Sequence, residues 1–368
     1  MRYKSYILFL SGLLLAGCSV EGVPGTDGRD DRIPVEIGVQ TQGETKADVT
    51  SMEGLQFGLL ALDPSRAPWS QAEDVLIPSS PAQVTGGSVR FIGAQNQYYY
   101  PVNADANYTF YAFRHKEMRV DEDPSAFLAV NDGETFQISG IRVGHQDILW
   151  AKSEATPLPD PSDESVTFPG YNAGYAMMAK TWYGSSPEVF ALYRPFLRFR
   201  HLTSSVRFAF VAASEAAAQE MASAVFLTNL SLEGVHGSAT LDVLEGTLSP
   251  EGDAVTITLD GEPVEPGWNG GEGNVFGEEA LYVLPSDAIK LNFRIAAGGT
   301  GYSPVHPVEV SAGDALLPGH DYLFKIKVSS AKDIALELID ETDLREGLIF
   351  HFEELTENGD SRTISDTI

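Results

Sequence analysis

Short runs of alternating apolar residues, each closed by glycine or proline, leave this chain little to fold into except β-sheet. Ile33-Pro34-Val35-Glu36-Ile37-Gly38-Val39-Gln40 sets the pattern, with Ile33, Val35, Ile37 and Val39 on one face. A period of two is that of a half-buried strand. Further strands are predicted at 55–62, 98–100, 108–113, 135–138 and 148–151. In the second half they are predicted at 196–200, 206–211, 225–232, 239–243, 255–259, 280–284, 291–295, 308–310 and 322–328. Tyr108-Thr109-Phe110-Tyr111-Ala112-Phe113 is apolar on both faces, as a central strand should be. Only Ser214–Ser223 reads as a helix, with Ser214 as its N-cap. With 35 glycines and 21 prolines in 368 residues, the breaks are too frequent for long helices. The class is all-β.

The N-terminus carries a different signal. Arg2 and Lys4 precede an apolar stretch of about ten residues, Tyr6–Leu15, half the length that spans a bilayer and the right size for a secretion signal. It runs into Leu15-Ala16-Gly17-Cys18, which resembles the lipobox of bacterial lipoproteins. That resemblance implies that residues 1–17 are removed and that Cys18, the single cysteine, is diacylated. One cysteine also excludes a disulfide framework and a thiolate zinc site. Residues 18–32, rich in glycine and aspartate, read as a lipidated tether. A Pro-, Ser- and acid-rich stretch at 153–174 reads as a long loop. Length and loop together divide the remainder into an N-terminal domain at 33–185 and a C-terminal domain at 186–368.

The sequence carries no motif of enzymatic or metal chemistry. The seven histidines are scattered, and no metalloprotease, nucleophile-elbow or phosphate-loop motif occurs. Asp121-Glu122-Asp123 lacks the alternation and glycine of a calcium loop, so a solvated turn is expected there. The formal net charge of −28 excludes a nucleic-acid partner. In so acidic a chain, Arg194, Arg198, Arg200, His201 and Arg207 are expected to pair with carboxylates. No catalytic residue, metal ligand or cofactor is assigned; the expectation is a non-enzymatic, structural or binding role.

Five segments, in this order, resemble the fimbrillin (Mfa-like) family of type V pili from Bacteroides-group bacteria. They are Ile33–Ile37 running to Lys46-Ala47; Phe91–Phe113 with its Tyr98-Tyr99-Tyr100-Pro101; Gln146-Asp147-Ile148-Leu149-Trp150-Ala151; Phe199–Phe208 with Arg200-His201-Leu202; and Leu317-Pro318-Gly319-His320-Asp321-Tyr322 running to Val328. The resemblance covers residues 33 to 330. It implies two transthyretin-like β-sandwich (Greek-key) domains in tandem, and an outer-membrane lipoprotein at the cell surface and in the fimbrium. Its implied partners are other fimbrillin-like subunits, the outer membrane through the lipid anchor, and a surface receptor or glycan.

Assembly in such a family implies proteolysis followed by strand exchange, which is β-augmentation of an emptied groove. The sequence nominates Ile33, Val35, Ile37 and Val39 as the removable plug, and Lys46–Ala47 as the processed bond. An uncut first strand that completes the N-terminal sandwich stays open. A donor strand is sought at the C-terminus, where Ile334, Leu336 and Leu338 alternate, as do Leu348, Phe350 and Phe352. Either set also suits a last strand of the C-terminal domain. Shaft, tip and anchor roles all remain. The alternative is a monomeric surface glycan-binding lipoprotein using exposed aromatics such as Trp69, Trp182 or Trp268.

Overall fold

The computed structural model describes residues 32–41, 53–93, 97–102, 105–115, 118–119, 121–131, 133–144, 146–153, 170–186, 193–259, 261–277, 279–285, 287, 289–297, 306–309, 316–330, 333–340 and 348–351. The chain divides into two compact units, Met1–Arg32 and Ile33–Ile368, and the strands below belong to the second. They are β1 (Ile33–Pro34), β2 (Gly38–Thr41), β3 (Gln56–Leu62), β4 (Val75–Thr85), β5 (Ser88–Phe91), β6 (Tyr99–Tyr100), β7 (Thr109–His115), β8 (Val130–Asn131), β9 (Phe136–Arg142) and β10 (Ile148–Ser153). After helix α1 (Ala173–Tyr183) come β11 (Phe196–His201), β12 (Ser204–Ala212), helix α2 (Glu215–Met221), β13 (Val225–Asp242), β14 (Thr247–Leu259), β15 (Asn274–Val275) and β16 (Leu281–Val283). The chain continues with β17 (Lys290–Ala297), β18 (His306–Glu309), β19 (Asp321–Ser330), β20 (Asp333–Asp340) and β21 (Leu348–His351).

The first layer is a closed barrel in the order β10-β11-β2-β5-β4-β3-β7, with β7 pairing back onto β10. Period-two alternation sends Phe57, Leu59, Phe110, Ala112, Leu149, Ala151, Leu197 and Phe199 into its interior. The residues between them, including Leu60, Tyr111, Phe113 and Trp150, face outward. Two open sheets follow. One runs β15-β12-β19-β20-β21, and the other runs β18-β17-β13-β9-β8, with β14 on the second edge of β13. Phe208, Phe210 and Phe324 of the first sheet share a core with Leu230, Leu232 and Phe293 of the second. The outward face of the barrel packs on Ile138, Ile141 and Leu241 of the second sheet. Strand β9 comes from the first half of the sequence yet pairs with β13 of the second, Ile141 opposite Ala239.

The expected all-β class holds, with three corrections in detail. The run Ile33–Gln40 is interrupted: residues 35–37 leave the ladder, so β1 and β2 serve different sheets. The stretch at 75–91, for which no strand was predicted, is the hairpin β4–β5. Ser214–Ser223 is joined by a second helix, α1. Asn172 caps it, its side-chain oxygen accepting from the Tyr175 N–H at 2.8 Å. The predicted loop at 153–174 therefore runs into helix at its end. Ser214 caps α2 in the same way, accepting from the Ala217 N–H at 3.1 Å.

Candidate functional site

The barrel is closed by its least local element. Strand β2 lies between β11 and β5, running parallel to β11 with Gly38 opposite Phe196 and Thr41 opposite Phe199. The Gly38 N–H donates to the Pro195 carbonyl at 2.9 Å. On the other side Gly38 faces Ser88. The Val39 N–H donates to the Gly87 carbonyl at 3.2 Å, and the Val89 N–H to the Ile37 carbonyl at 3.0 Å. A few residues upstream, the Val35 N–H donates to the Tyr98 carbonyl at 2.9 Å, and Gln97 Nε2 to the Val35 carbonyl at 3.0 Å. Without residues 33–41, the edges of β11 and β5 have no partner and the barrel interior opens along a groove.

Side chains reinforce this seat. Val35 and Ile37 are 4% and 2% exposed, while Ile33 and Val39 pack partly buried against the same core. Burying the first two contributes about 3–6 kcal/mol at most, at roughly 1.5–3 kcal/mol each. Gly38 is needed for close approach: a Cβ there would stand 2.7 Å from the Phe196 ring. Helix α1 covers the start of the segment, burying Tyr175 and Ala179. A cavity of about 30 Å³, the scale of a single water, remains between Ile33, Pro34, Tyr100, Tyr175 and Lys180. At its rim Arg194 pairs with Glu36 at 3.9 Å, and Tyr193 stacks on Tyr183 at 4.3 Å. Burial, aided by Tyr171, Tyr175 and Glu36, holds the Tyr100 hydroxyl well above its ordinary pKa. Burial likewise raises Tyr175, so both phenols are neutral in the seat.

The fimbrillin-like family profile matches residues 45–340 of this chain. The chain belongs to the fimbrillin-like family. That membership supports a role as a fimbrial subunit or adhesin. Solved structures similar to this fimbrillin-like chain include a candidate cell adhesion protein from Bacteroides uniformis, at 16% identity and a TM-score of 0.48, covering 86% of this chain and 98% of that one. A fimbrial assembly protein from Parabacteroides distasonis is 10% identical with a TM-score of 0.45, covering 86% and 98%. The fimbrial anchor protein Mfa2 from Porphyromonas gingivalis is 11% identical with a TM-score of 0.36, covering 84% and 98%. No curated protein sequence matches the chain.

The four residues nominated from sequence as a plug, Ile33, Val35, Ile37 and Val39, pack against one core in this fimbrillin-like chain. Cys18, Lys46, Ala47 and Phe352 lie outside the described residues. Ile334, Leu336 and Leu338 lie in β20, antiparallel to β19, and Leu348 and Phe350 lie in β21, antiparallel to β20. Residues absent from the sequence prediction of this site are Gly38, Ser88, Tyr100 and the face of α1. Their signal was a Gly-Gly turn at 86–87 and an Asn-capped, Ala- and Met-rich run, both readable locally.

Trp69 is not an exposed aromatic. It is 7% exposed, and its indole N–H donates to the Asp63 carbonyl at 2.9 Å. Trp182 and Trp268 are half-buried. Asp63 itself is a buried acceptor. Burial pushes its carboxyl up, but the Ser65 hydroxyl and the Asn107 and Ser65 N–H groups outweigh this, and its pKa is lowered. Asp123 lies in an exposed turn as expected and accepts from the Ser125 N–H at 3.0 Å. The expected pairing of the basic cluster holds for Arg194 with Glu36 and for His201 with Asp147, at 2.6 Å. Among the described residues it fails for Arg198 and Arg200, which make no ion pair. Among the described residues no group of three or more His, Cys, Asp or Glu is placed to hold a metal ion, and no helix is long and apolar enough to cross a membrane.

Proposed function

We propose that this chain is a lipid-anchored fimbrial subunit or fimbria-associated adhesin that assembles by proteolysis-triggered strand exchange. In this reading Cys18 carries the lipid, residues 18–32 are the tether, and cleavage at Lys46–Ala47 releases residues 33–41. The halves 33–185 and 186–368 are read as two transthyretin-like sandwich domains that trade strands across their boundary, β11 closing the first and β8 and β9 extending a sheet of the second. A strand from a neighbouring subunit, taken from the Ile334–Leu338 or Leu348–Phe352 region, refills the groove. The outer membrane holds the precursor, other fimbrillin-like subunits are the polymer partners, and a surface receptor or glycan is the adhesive target. No catalytic role is assigned.

The observation that supports the reading best is the position of β2. It is the first barrel strand in the chain, only four residues long, parallel to β11, and among the described barrel strands the one whose removal opens the barrel without cutting a connection between two others. Parallel pairing to a strand nearly 160 residues away ties the segment to the fold through side chains and backbone bonds alone. The test is digestion of the purified precursor with a trypsin-like protease, followed by N-terminal sequencing and unboiled SDS electrophoresis. A new N-terminus at Ala47 with SDS-resistant oligomers is expected. A chain shed from cells that begins only at acylated Cys18, and stays monomeric after digestion, overturns the processing step.

A further inference from the structure

Lys152 of β10 and Arg198 and Arg200 of β11 project from the outer face of the barrel, because Ala151, Leu197 and Phe199 fill its interior. All three are exposed. Lys152 stands directly opposite Arg198 in the ladder, and Arg200 stands opposite Trp150. Directly opposed side chains sit about 5 Å apart at Cβ, so like charges there repel. Among the described residues none of the three makes an ion pair. In a chain with 52 acidic and 24 basic residues, a row of cations without ion pairs on a sheet is out of place.

Two of the cations are held in position. The Arg200 guanidinium lies 4.6 Å from the Trp150 ring centre and donates to the Gly246 carbonyl at 3.3 Å. Trp150 is itself fixed, its indole N–H donating to the Val243 carbonyl at 2.7 Å. The Lys152 ammonium lies 5.5 Å from the ring centre of buried Tyr111. Aromatic faces orient a cation without neutralising it. Burial pushes the Tyr111 hydroxyl up to about 12, so it supplies no countercharge. The Asp242 and Glu245 carboxylates of the adjoining turn act on Tyr111 electrostatically; Asp242 accepts from the Leu244 and Glu245 N–H groups, at 2.9 and 3.1 Å, and neither carboxylate forms an ion pair with Lys152.

We infer that Lys152, Arg198 and Arg200 form a binding patch for a short anionic oligosaccharide carrying two acidic groups, sulfate or carboxylate, about 7 Å apart. That spacing is two residues along β11, the separation of Arg198 from Arg200. Guanidinium forks take either group in bidentate fashion. The ligand is short because the net charge of the chain repels an extended polyanion. The patch lies on the outer face of the barrel and β2 seals its interior, so its test is independent of strand exchange.

The test is calorimetric titration of the whole uncleaved chain with three tetrasaccharides: a sulfated uronate-containing one, the same backbone without sulfate, and neutral maltotetraose. The acidic ligands bind, the neutral one does not, and affinity falls as salt rises from low to physiological ionic strength. The stronger acidic ligand identifies sulfate or carboxylate as the preferred group. Arg198→Ala weakens binding about tenfold, the loss of one charge-assisted contact. The Lys152→Ala/Arg198→Ala double variant binds nothing, while its melting temperature is unchanged or higher through relief of the cross-strand repulsion. Equal binding of neutral and acidic ligands, or unchanged affinity in the double variant, overturns the inference. So does salt-dependent self-association through these residues without ligand binding, which would make the acidic face of a second copy the occupant.

Discussion

Ile37→Ala measures whether the first segment is a separable part of the fold. Ile37 is 2% exposed inside the barrel, and its carbonyl accepts from the Val89 N–H. Losing three carbons at about 0.8 kcal/mol each gives roughly 2.4 kcal/mol, and the residual cavity brings the cost to about 2–4 kcal/mol. The opening free energies before substitution, read by hydrogen exchange, distinguish two architectures. If residues 33–41 open without the rest, the amides that bind them in place, Val35, Gly38, Val39 and Val89, exchange through an opening cheaper than global unfolding, while Leu230 and Phe293 in the β13–β17 pair exchange near the global value. Ile37→Ala then lowers both by about 2–4 kcal/mol, because both openings release Ile37. If the segment opens only when everything unfolds, all these amides exchange at the global value. Equal protection at Val89 and Leu230 before the substitution, or protection at Val89 unchanged by it while urea unfolding registers the full cost, refutes the separable-strand reasoning.

Three further outcomes are expected. Gly246→Ala costs about 2–4 kcal/mol in urea unfolding, because Gly246 has φ +66 and a Cβ there meets the Trp150 indole; a loss under about 0.5 kcal/mol shows that the turn and indole move apart freely. Ser214→Ala costs about 1 kcal/mol through the lost cap of α2, checked by the same unfolding curve against a Ser214→Asn control that retains it. His201 titrates above its ordinary pKa: burial opposes its charge, but the hydrogen bond and charge of Asp147, and the charge of Asp321, outweigh burial. Its stabilisation is therefore complete below the unfolded value of about 6.5 and is lost as pH rises through the higher folded value. The stability gap between the native chain and His201→Gln should narrow as pH rises from about 6 to 8; a gap that widens contradicts the raised pKa.

What the sequence revealed and what it hid follow from the range of the interactions. Strands such as Leu291–Ile295 and Tyr322–Val328 are legible because their side chains alternate within a few residues, and they appear inside β17 and β19. The β4–β5 hairpin was hidden by Pro78, Pro81 and two serines, which mask the alternation. Yet Gly86 and Gly87, both at positive φ, form the turn that a Gly-Gly pair predicts. Helix α1 was hidden by the adjoining Pro-rich loop, although Ala, Met and Lys favour it. Arg198 was misjudged because overall acidity says nothing about which side chain lies within 4 Å of a carboxylate.

The seat of the first strand belongs to a third class, where local reading finds the strand and cannot find its place. Alternation put Ile33, Val35, Ile37 and Val39 on one face, and Val35 and Ile37 are indeed buried. Nothing local indicates that residues 35–37 step out of the ladder between β6 and β11, or that the partner of Gly38 is Phe196. Gly38 is the residue where the two levels meet. In the sequence it is a weak point in a strand pattern; in the fold it admits the Phe196 ring against the backbone of the closing strand. The same position therefore makes the seam compact while adding no side chain to hold it. Retention rests on the valines and isoleucines on either side, so Val35 and Ile37 are the positions where a lost methylene loosens the seam most directly.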